Sequence, residues 1–113
     1  NYVENIVDGL LATIISDKPY DDVINLGSNQ EVSICDLVKL IHERCNSSSE
    51  LKIGALETRP TEIWRMRGDN RKANQFLKWS PTISFKVGLD MTIEWYKDYL
   101  KLFYNNNSPV NLL

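Results

Sequence analysis

Apolar residues along the chain recur mainly with the spacing of amphipathic α-helices. The clearest stretch is 3–16, where apolar positions repeat every three or four residues and form one stripe. Proline disfavours helix in the residue before it, so Pro19 is predicted to end this helix. Three further helices are predicted: from a Ser33 cap to Cys45, from an Asp69 cap to Leu77, and from a Ser84 cap to about Tyr104.

Three short segments have the pattern of β-strands. Residues 23–26 form an apolar run closed by Gly27, residues 51–55 alternate in character, and residues 63–66 suit a short edge strand. Two or three short strands make a poor sheet on their own. The sequence therefore predicts a helix-rich α/β lobe over residues 1–104. It is either one layer of a larger α/β protein or a small helical lobe. The polar, asparagine-rich residues 105–113 are predicted to be a flexible tail.

Composition places the chain among ordinary globular domains. Of its 113 residues, 42% are apolar and 25% are charged, and this length suffices for one domain. The longest apolar run falls far short of the ~20 residues that cross a bilayer, and no signal-peptide pattern is present. No membrane partner is therefore expected. The first residue is Asn1 rather than Met, so we expect a chain that is processed or cut from a longer protein.

Charge and cysteine content narrow the possible partners and location. The net charge is −2, but residues 1–50 carry −6 and residues 51–113 carry +4. A local basic cluster on a mildly acidic protein suits a small anion better than nucleic acid. Its members are Arg59, Arg65, Arg67, Arg71 and Lys72. Cys35 and Cys45 lie about 15 Å apart on one predicted helix. That distance is too long for a disulfide, and two unbridged thiols suit the cytoplasm.

No catalytic constellation is visible in the sequence. The single histidine, His42, falls in mid-helix and is predicted to be structural or solvent-facing. The chain has no G-x-S-x-G, H-E-x-x-H or P-loop motif, and no Tyr is followed four residues later by Lys. Its glycines do not form a dinucleotide fingerprint, and its cysteines lack zinc-site spacing. The residues therefore do not point to an isolated enzyme or to a metal site.

The segment 57–69 carries the candidate chemistry. Arg59 is followed by Pro60, which restricts the backbone, and a planar guanidinium fork matches two phosphate oxygens. Glu62 lies three residues further on and can accept hydrogen bonds from the paired hydroxyls of a ribose. Together they favour a site for a nucleoside diphosphate. The alternative is a solvated charged loop in which Arg59 pairs with Glu62.

Motifs along the whole chain also occur in an order that a known family shares. Residues 2–9 are similar to a YVDDIVDG-like helix start, and residues 23–28 to a strand that ends in N-x-G. Residues 59–81 follow an R-P-x-D/E, D-x-x-K-A, L-G-W-x-P series, and residues 88–96 follow G-L-x-x-T-I-x-W-Y. This ordered series, over about residues 2–104, resembles the C-terminal, substrate-binding part of the extended short-chain dehydrogenases/reductases. These enzymes are NAD(P)-dependent nucleotide-sugar epimerases and dehydratases.

The resemblance implies roles for five residues. In this family the arginine at the position of Arg59 contacts the diphosphate of a sugar nucleotide, and the acid at Glu62 contacts its ribose. Asp69 is expected to cap the short helix and order the segment before it. Trp79 is expected to pack in the lobe, and Asn25 to satisfy backbone groups near a strand end.

The resemblance further implies that the chain is a fragment of an enzyme. The parent would bind NAD or NADP in an N-terminal Rossmann half, which also carries the catalytic Tyr and Lys, so no cofactor is expected in this chain. It would oxidise the sugar at C4 by hydride transfer before epimerisation or dehydration, while this part grips the nucleotide. The R-P-T-E motif favours the GDP-mannose 4,6-dehydratase branch of the family. The alternatives are a stand-alone nucleotide-sugar-binding or interaction module without activity, and a degenerate relic that binds nothing.

The sequence gives further expectations for Asn5, Lys78 and Gly88, and for the apolar face of the first helix. The family usually has Asp at Asn5 and Gly at Lys78, where a left-handed helix cap would make lysine cost about 1 kcal/mol. Gly88 is predicted to mark close packing inside the last helix. Without the Rossmann half, the apolar stripe of helix 3–16 is expected to be exposed. The missing half would cover that stripe, or the stripe would drive self-association.

Overall fold

The computed structural model describes residues 1–17 and 21–106, with side chains through residue 102. All four predicted helices are present: α1 Val3–Ile15, α2 Ile34–Arg44, α3 Arg71–Leu77 and α4 Phe85–Asn106. The chain divides into two compact units. The first unit is Asn1–Glu31 with Ile63–Gly88, and the second is Val32–Glu62 with the chain from Leu89 onward. The end predicted for α1 at residues 17–19 and the tail after Asn106 lie largely outside the described residues.

Hydroxyl groups at the predicted caps fix the starts of α2 and α4. The Ser33 hydroxyl accepts a hydrogen bond from the Asp36 amide over 3.0 Å, and the Ser84 hydroxyl accepts one from the Val87 amide over 3.4 Å. Such bonds satisfy amides that have no partner within the helix. For α3 the predicted cap is wrong by one residue. Asn70 occupies the cap position, and Asp69 accepts from the Arg71 amide over 2.9 Å.

The first unit is built around a buried asparagine on α1. Asn5 is 1% exposed, and its amide nitrogen donates to the Ile83 carbonyl over 2.8 Å. Its side-chain oxygen accepts from the backbone amides of Thr82 and Ile83, both over 3.0 Å. Trp79, 5% exposed, donates its indole N–H to the Asn5 carbonyl over 3.0 Å. One polar side chain thus joins α1 to the turn that precedes α4.

Two glycines allow close approach within the first unit. A Cβ added to Gly88 would lie 2.6 Å from the Cβ of Tyr2, which confirms the predicted close packing at this position of α4. A Cβ on Gly27 would lie 3.0 Å from the carbonyl oxygen of Gly68. The segments around Gly27 and Gly68 therefore lie backbone against backbone.

The predicted strands are wrong, because no described residue belongs to a β-strand. In residues 51–55 a turn replaces the strand: the Ala55 amide donates to the Lys52 carbonyl over 3.3 Å, and Gly54 has φ +79°. Residues 23–27 and 63–69 have no regular secondary structure. Close approach at Gly27 and Gly68 occurs there without a hydrogen-bonded ladder. The described residues therefore form helices joined by turns and irregular segments.

The second unit has a polar and an apolar part. His42 lies 2.7 Å from the Ser49 carbonyl through its Nε2 atom, which holds the loop after α2 and fits the predicted structural role. Arg44 pairs with Asp90 over 3.3 Å. The first half of α2 and residues 51–54 line an apolar groove of about 300 Å³. Cys35 and Cys45 are both free thiols.

The apolar stripe of α1 is exposed, as expected. Its six most exposed large side chains have exposed fractions from 47% to 78%. They are Val3, Val7, Leu10, Leu11, Ile14 and Ile15. A stripe of this size is unusual for a surface that faces only water. None of the described helices combines the length and hydropathy needed to cross a membrane.

Lys78 adopts the left-handed conformation predicted for the residue after α3, with φ 54° and ψ 25°. Glycine adopts this conformation without the steric conflict between Cβ and backbone. We therefore expect Lys78→Gly to stabilise the protein by about 1 kcal/mol.

The measurement is the free energy of unfolding in urea. Lys39→Gly, inside α2, is the matched control and should destabilise the protein by about 1 kcal/mol. Equal losses at both positions would contradict a strained cap at Lys78.

Candidate functional site

The sequence Arg59-Pro60-Thr61-Glu62 forms a reverse turn in the second unit. The Glu62 amide donates to the Arg59 carbonyl over 3.1 Å, and Pro60 fits the second position of such a turn. The side chains of Arg59 and Glu62 are both exposed. Among the described residues neither has a hydrogen-bonded or ion-paired partner, so the predicted pairing of the two with each other is absent. The turn leaves a guanidinium and a carboxylate available at its two ends.

Arg65, in the first unit, is held by a carboxylate far away in the sequence. Its Nε and Nη2 atoms donate to Glu31, and the shortest contact is 2.6 Å. This forked geometry is the strong form of an arginine–carboxylate pair. The hydrogen bonds from Arg65 lower the pKa of Glu31, and the same bonds raise the pKa of Arg65. The pair links residue 65 to the loop that precedes α2.

Arg71 and Asp69 form a second forked pair at the start of α3. The Arg71 side chain donates to both carboxylate oxygens of Asp69, at 2.6 to 3.1 Å. Hydrogen bonds from the Arg71 side chain, and then from its backbone amide, lower the pKa of Asp69 to about 2. Asp69 therefore stays ionised across the physiological pH range and orders the first turn of α3.

Lys72 and Arg67 complete the basic cluster. Lys72 pairs with Asp22 over 2.5 Å, which lowers the pKa of that carboxyl. Arg67 makes no hydrogen bond to any described side chain, although its charge helps to lower the pKa values of Glu31 and Asp69. Of the four cluster members that follow Glu62, three thus hold carboxylates in place.

Of the other predicted site residues, Trp79 is buried and Asn25 is exposed. Trp79 lies in the core beside Asn5, in keeping with a packing role. The Asn25 side chain is exposed and has no hydrogen-bond partner among the described residues, so the predicted bond to nearby backbone is absent. The carboxylates of Glu31 and Asp22 were missed, because a single sequence does not show which acid meets which base across 34 or 50 residues.

Two kinds of feature would mark a metal or dinucleotide site in residues 1–17 and 21–106: a metal cluster and a glycine-rich helix start. No group of three potential metal-ligating side chains occurs there. The described helices begin after Tyr2, Ser33, Asn70 and Ser84, and none of these starts is a glycine-rich turn that seats a pyrophosphate.

Comparison with known sequences finds enzymes that act on sugar nucleotides. No family model matches the chain. It is 32% identical over 105 residues to UDP-glucuronic acid decarboxylase 1 of Xenopus tropicalis, over 93% of this chain and 24% of that protein. It is 32% identical over 103 residues to dTDP-D-glucose 4,6-dehydratase of Bos taurus, over 86% of this chain and 28% of that protein.

A solved structure matches both the fold and the sequence. The Bordetella bronchiseptica enzyme WbmF, in complex with NADH, aligns with a TM-score of 0.72 and 35% identity. The match covers 88% of this chain and 29% of WbmF. WbmF in complex with NAD+ and UDP gives the same values. The chain thus spans between 24% and 29% of the length of these three proteins.

Proposed function

Because this chain belongs to the extended short-chain dehydrogenases/reductases and matches the C-terminal part of its relatives, we propose that it grips a nucleoside diphosphate sugar. In this proposal the Arg59 guanidinium binds the diphosphate and the Glu62 carboxylate accepts hydrogen bonds from the ribose. The observation that carries it is the reverse turn, which presents both groups exposed and unpaired.

The role of the two residues is to position the substrate. An arginine fork takes two phosphate oxygens in one orientation, whereas a lysine acts as a point charge. Binding energy gained at the nucleotide fixes the sugar, which is the part that reacts. NAD supplies the hydride chemistry in relatives that bind it, and the residues described here only hold and orient the substrate.

The exposed stripe of α1 supports a second element of the proposal. Six large apolar side chains on one helix face favour a protein partner, since burying such a face is worth about 25 cal/mol per Å². The relatives are three to four times as long as the matched region. We infer that a cofactor-binding half of the same protein covers this stripe and brings NAD or NADP to the sugar.

The base of the nucleotide guides the choice of ligand. The relatives are named for UDP- and dTDP-sugars, and WbmF binds UDP. UDP is therefore the probe of choice. GDP is the comparison ligand. It tests the prediction, made from the R-P-T-E motif, that the enzyme acts on GDP-mannose.

Replacing Arg59 with alanine is the experiment that tests this function. We expect Arg59→Ala, in the complete gene product, to raise the Kd for UDP by roughly 10- to 150-fold, because a charge-assisted phosphate contact is worth about 1.5–3 kcal/mol. Arg59→Lys should restore the affinity only in part. Isothermal titration calorimetry measures each Kd.

Lys101→Ala serves as the control for a general loss of positive charge. Lys101 is an exposed cation that pairs with Asp98 on α4, and its removal should leave the Kd for UDP unchanged. If Arg59→Ala binds UDP as tightly as the wild type, the assignment of Arg59 is wrong.

A further inference from the structure

The backbone on either side of the Arg59–Glu62 turn has few restraints. Every residue from Leu51 to Asp69 is exposed. In the described part of the chain, the single hydrogen bond made by residues 56–64 is the one that closes the turn itself. The nearest restraints along the chain are the Lys52–Ala55 turn on one side and the Arg65–Glu31 pair on the other.

The Arg65–Glu31 pair is the long-range ion pair that lies next to the turn in the described sequence. Lys72–Asp22 also joins distant residues, but Lys72 lies ten residues after Glu62. Arg65 and Glu31 are 34 residues apart, and Arg65 follows Glu62 by three residues. The forked contact therefore anchors the chain immediately after the turn to a separate loop.

We propose that the Glu31–Arg65 pair is a positioning device that holds the backbone after Glu62, so that the Arg59–Glu62 turn is ordered before the nucleotide arrives. This inference rests on the proposed function of the turn. Ordering a backbone residue has an entropic cost, which a preformed turn does not impose on binding. A ligand that must order the segment itself binds more weakly.

Fold stability is a poor explanation for this pair. Arg65 is highly exposed, and exposed ion pairs contribute little to the free energy of unfolding. Its effect should therefore appear in the affinity for the nucleotide and in the local order of residues 56–64. If the pair had only a structural role, its loss would not change the nucleotide affinity or the order of residues 56–64 without also lowering the stability of the fold.

The test compares single variants with a charge-reversed double variant in the complete gene product. Glu31→Gln and Arg65→Gln should each raise the Kd for UDP about three- to tenfold, while Tm stays within about 2 °C of the wild type. Glu31→Arg combined with Arg65→Glu should restore at least half of the loss in binding free energy, because it rebuilds the pair with opposite polarity. Full restoration is not expected, since the cation at position 31 then faces the charge of Arg67. Asp22→Asn, which breaks the exposed pair with Lys72, is the matched control and should leave the Kd unchanged.

A ligand-independent measurement accompanies the titration. Exchange of the Glu62 amide, which closes the turn, should accelerate by about threefold or more in both single variants, and return in the double variant. If Arg59→Ala weakens UDP binding while Glu31→Gln and Arg65→Gln change neither Kd nor exchange, the positioning role is wrong and the proposed function stands. If UDP does not bind, or Arg59→Ala has no effect on its Kd, the proposed function fails. The positioning role fails with it, whatever the exchange rates show.

Discussion

Replacement of Asn5 by alanine is expected to destabilise the protein by about 3–4 kcal/mol, because it leaves buried backbone groups without partners. The amides of Thr82 and Ile83 lose their common acceptor, and the Ile83 carbonyl loses its donor. Water does not replace these bonds readily, since Asn5 is 1% exposed. A loss of this size is a large fraction of the stability of a typical domain.

Two further variants separate the hydrogen bonds from general effects of substitution. Asn5→Asp keeps the acceptor for both amides, but it removes the donor to Ile83 and buries a carboxylate beside that carbonyl. The two retained bonds offset part of this cost, so its loss should be no larger than that of Asn5→Ala. Asn70→Ala removes an asparagine that makes no side-chain cap bond at α3, and it should change stability by less than about 0.5 kcal/mol. Urea unfolding followed by circular dichroism gives all three values. If Asn5→Ala costs no more than Asn70→Ala, Asn5 does not join α1 to the 82–83 turn.

The helices could be predicted from the sequence because the signals that form them are local. Apolar spacing defines α1, and serine hydroxyls fix the first turns of α2 and α4 within three residues of the cap. The left-handed Lys78 was predictable for the same reason, since it follows directly from where α3 ends. At α3 two neighbouring polar residues, Asp69 and Asn70, compete for the cap, and the pattern alone placed it one residue too early.

The predicted strands do not form in the described residues, because an alternating pattern of apolar and polar residues does not by itself provide a neighbouring strand. Residues 51–55 alternate as a strand would, yet Gly54 turns the chain. Residues 23–27 come close to residue 68 at two glycines, but no ladder forms among the described residues. A strand needs hydrogen bonds from a neighbour, and that neighbour is a property of the tertiary fold.

The candidate site was predictable in its residues but not in its supports. Arg59 and Glu62 stand out because a motif places them three residues apart, and a turn with proline at its second position explains that spacing. Glu31 gave no signal as the partner of Arg65, because any of the acids in the first half of the chain could have met it. Asn5 appeared only as a departure from a family pattern. Its importance comes from three backbone groups that lie 77 or 78 residues away.

Trp79→Ala is expected to have an equal or larger effect on stability than Asn5→Ala, with a loss of about 3–5 kcal/mol. Trp79 is 5% exposed, and it is the largest buried side chain among the described residues. The other buried residues there are Asn5, Gly9, Ala73 and Gly88. Truncation removes its apolar contacts, opens a cavity and leaves the Asn5 carbonyl without the indole N–H.

Two companion variants separate packing from the indole hydrogen bond. Trp79→Phe retains most of the apolar volume and loses the hydrogen bond to Asn5, so we expect a loss of about 1–2 kcal/mol. Trp64→Ala removes a tryptophan that is 80% exposed and should change stability by less than about 0.5 kcal/mol in this chain. Free energies of unfolding in urea decide between them. Equal losses for Trp79→Ala and Trp64→Ala would mean that Trp79 is not part of the core of the first unit.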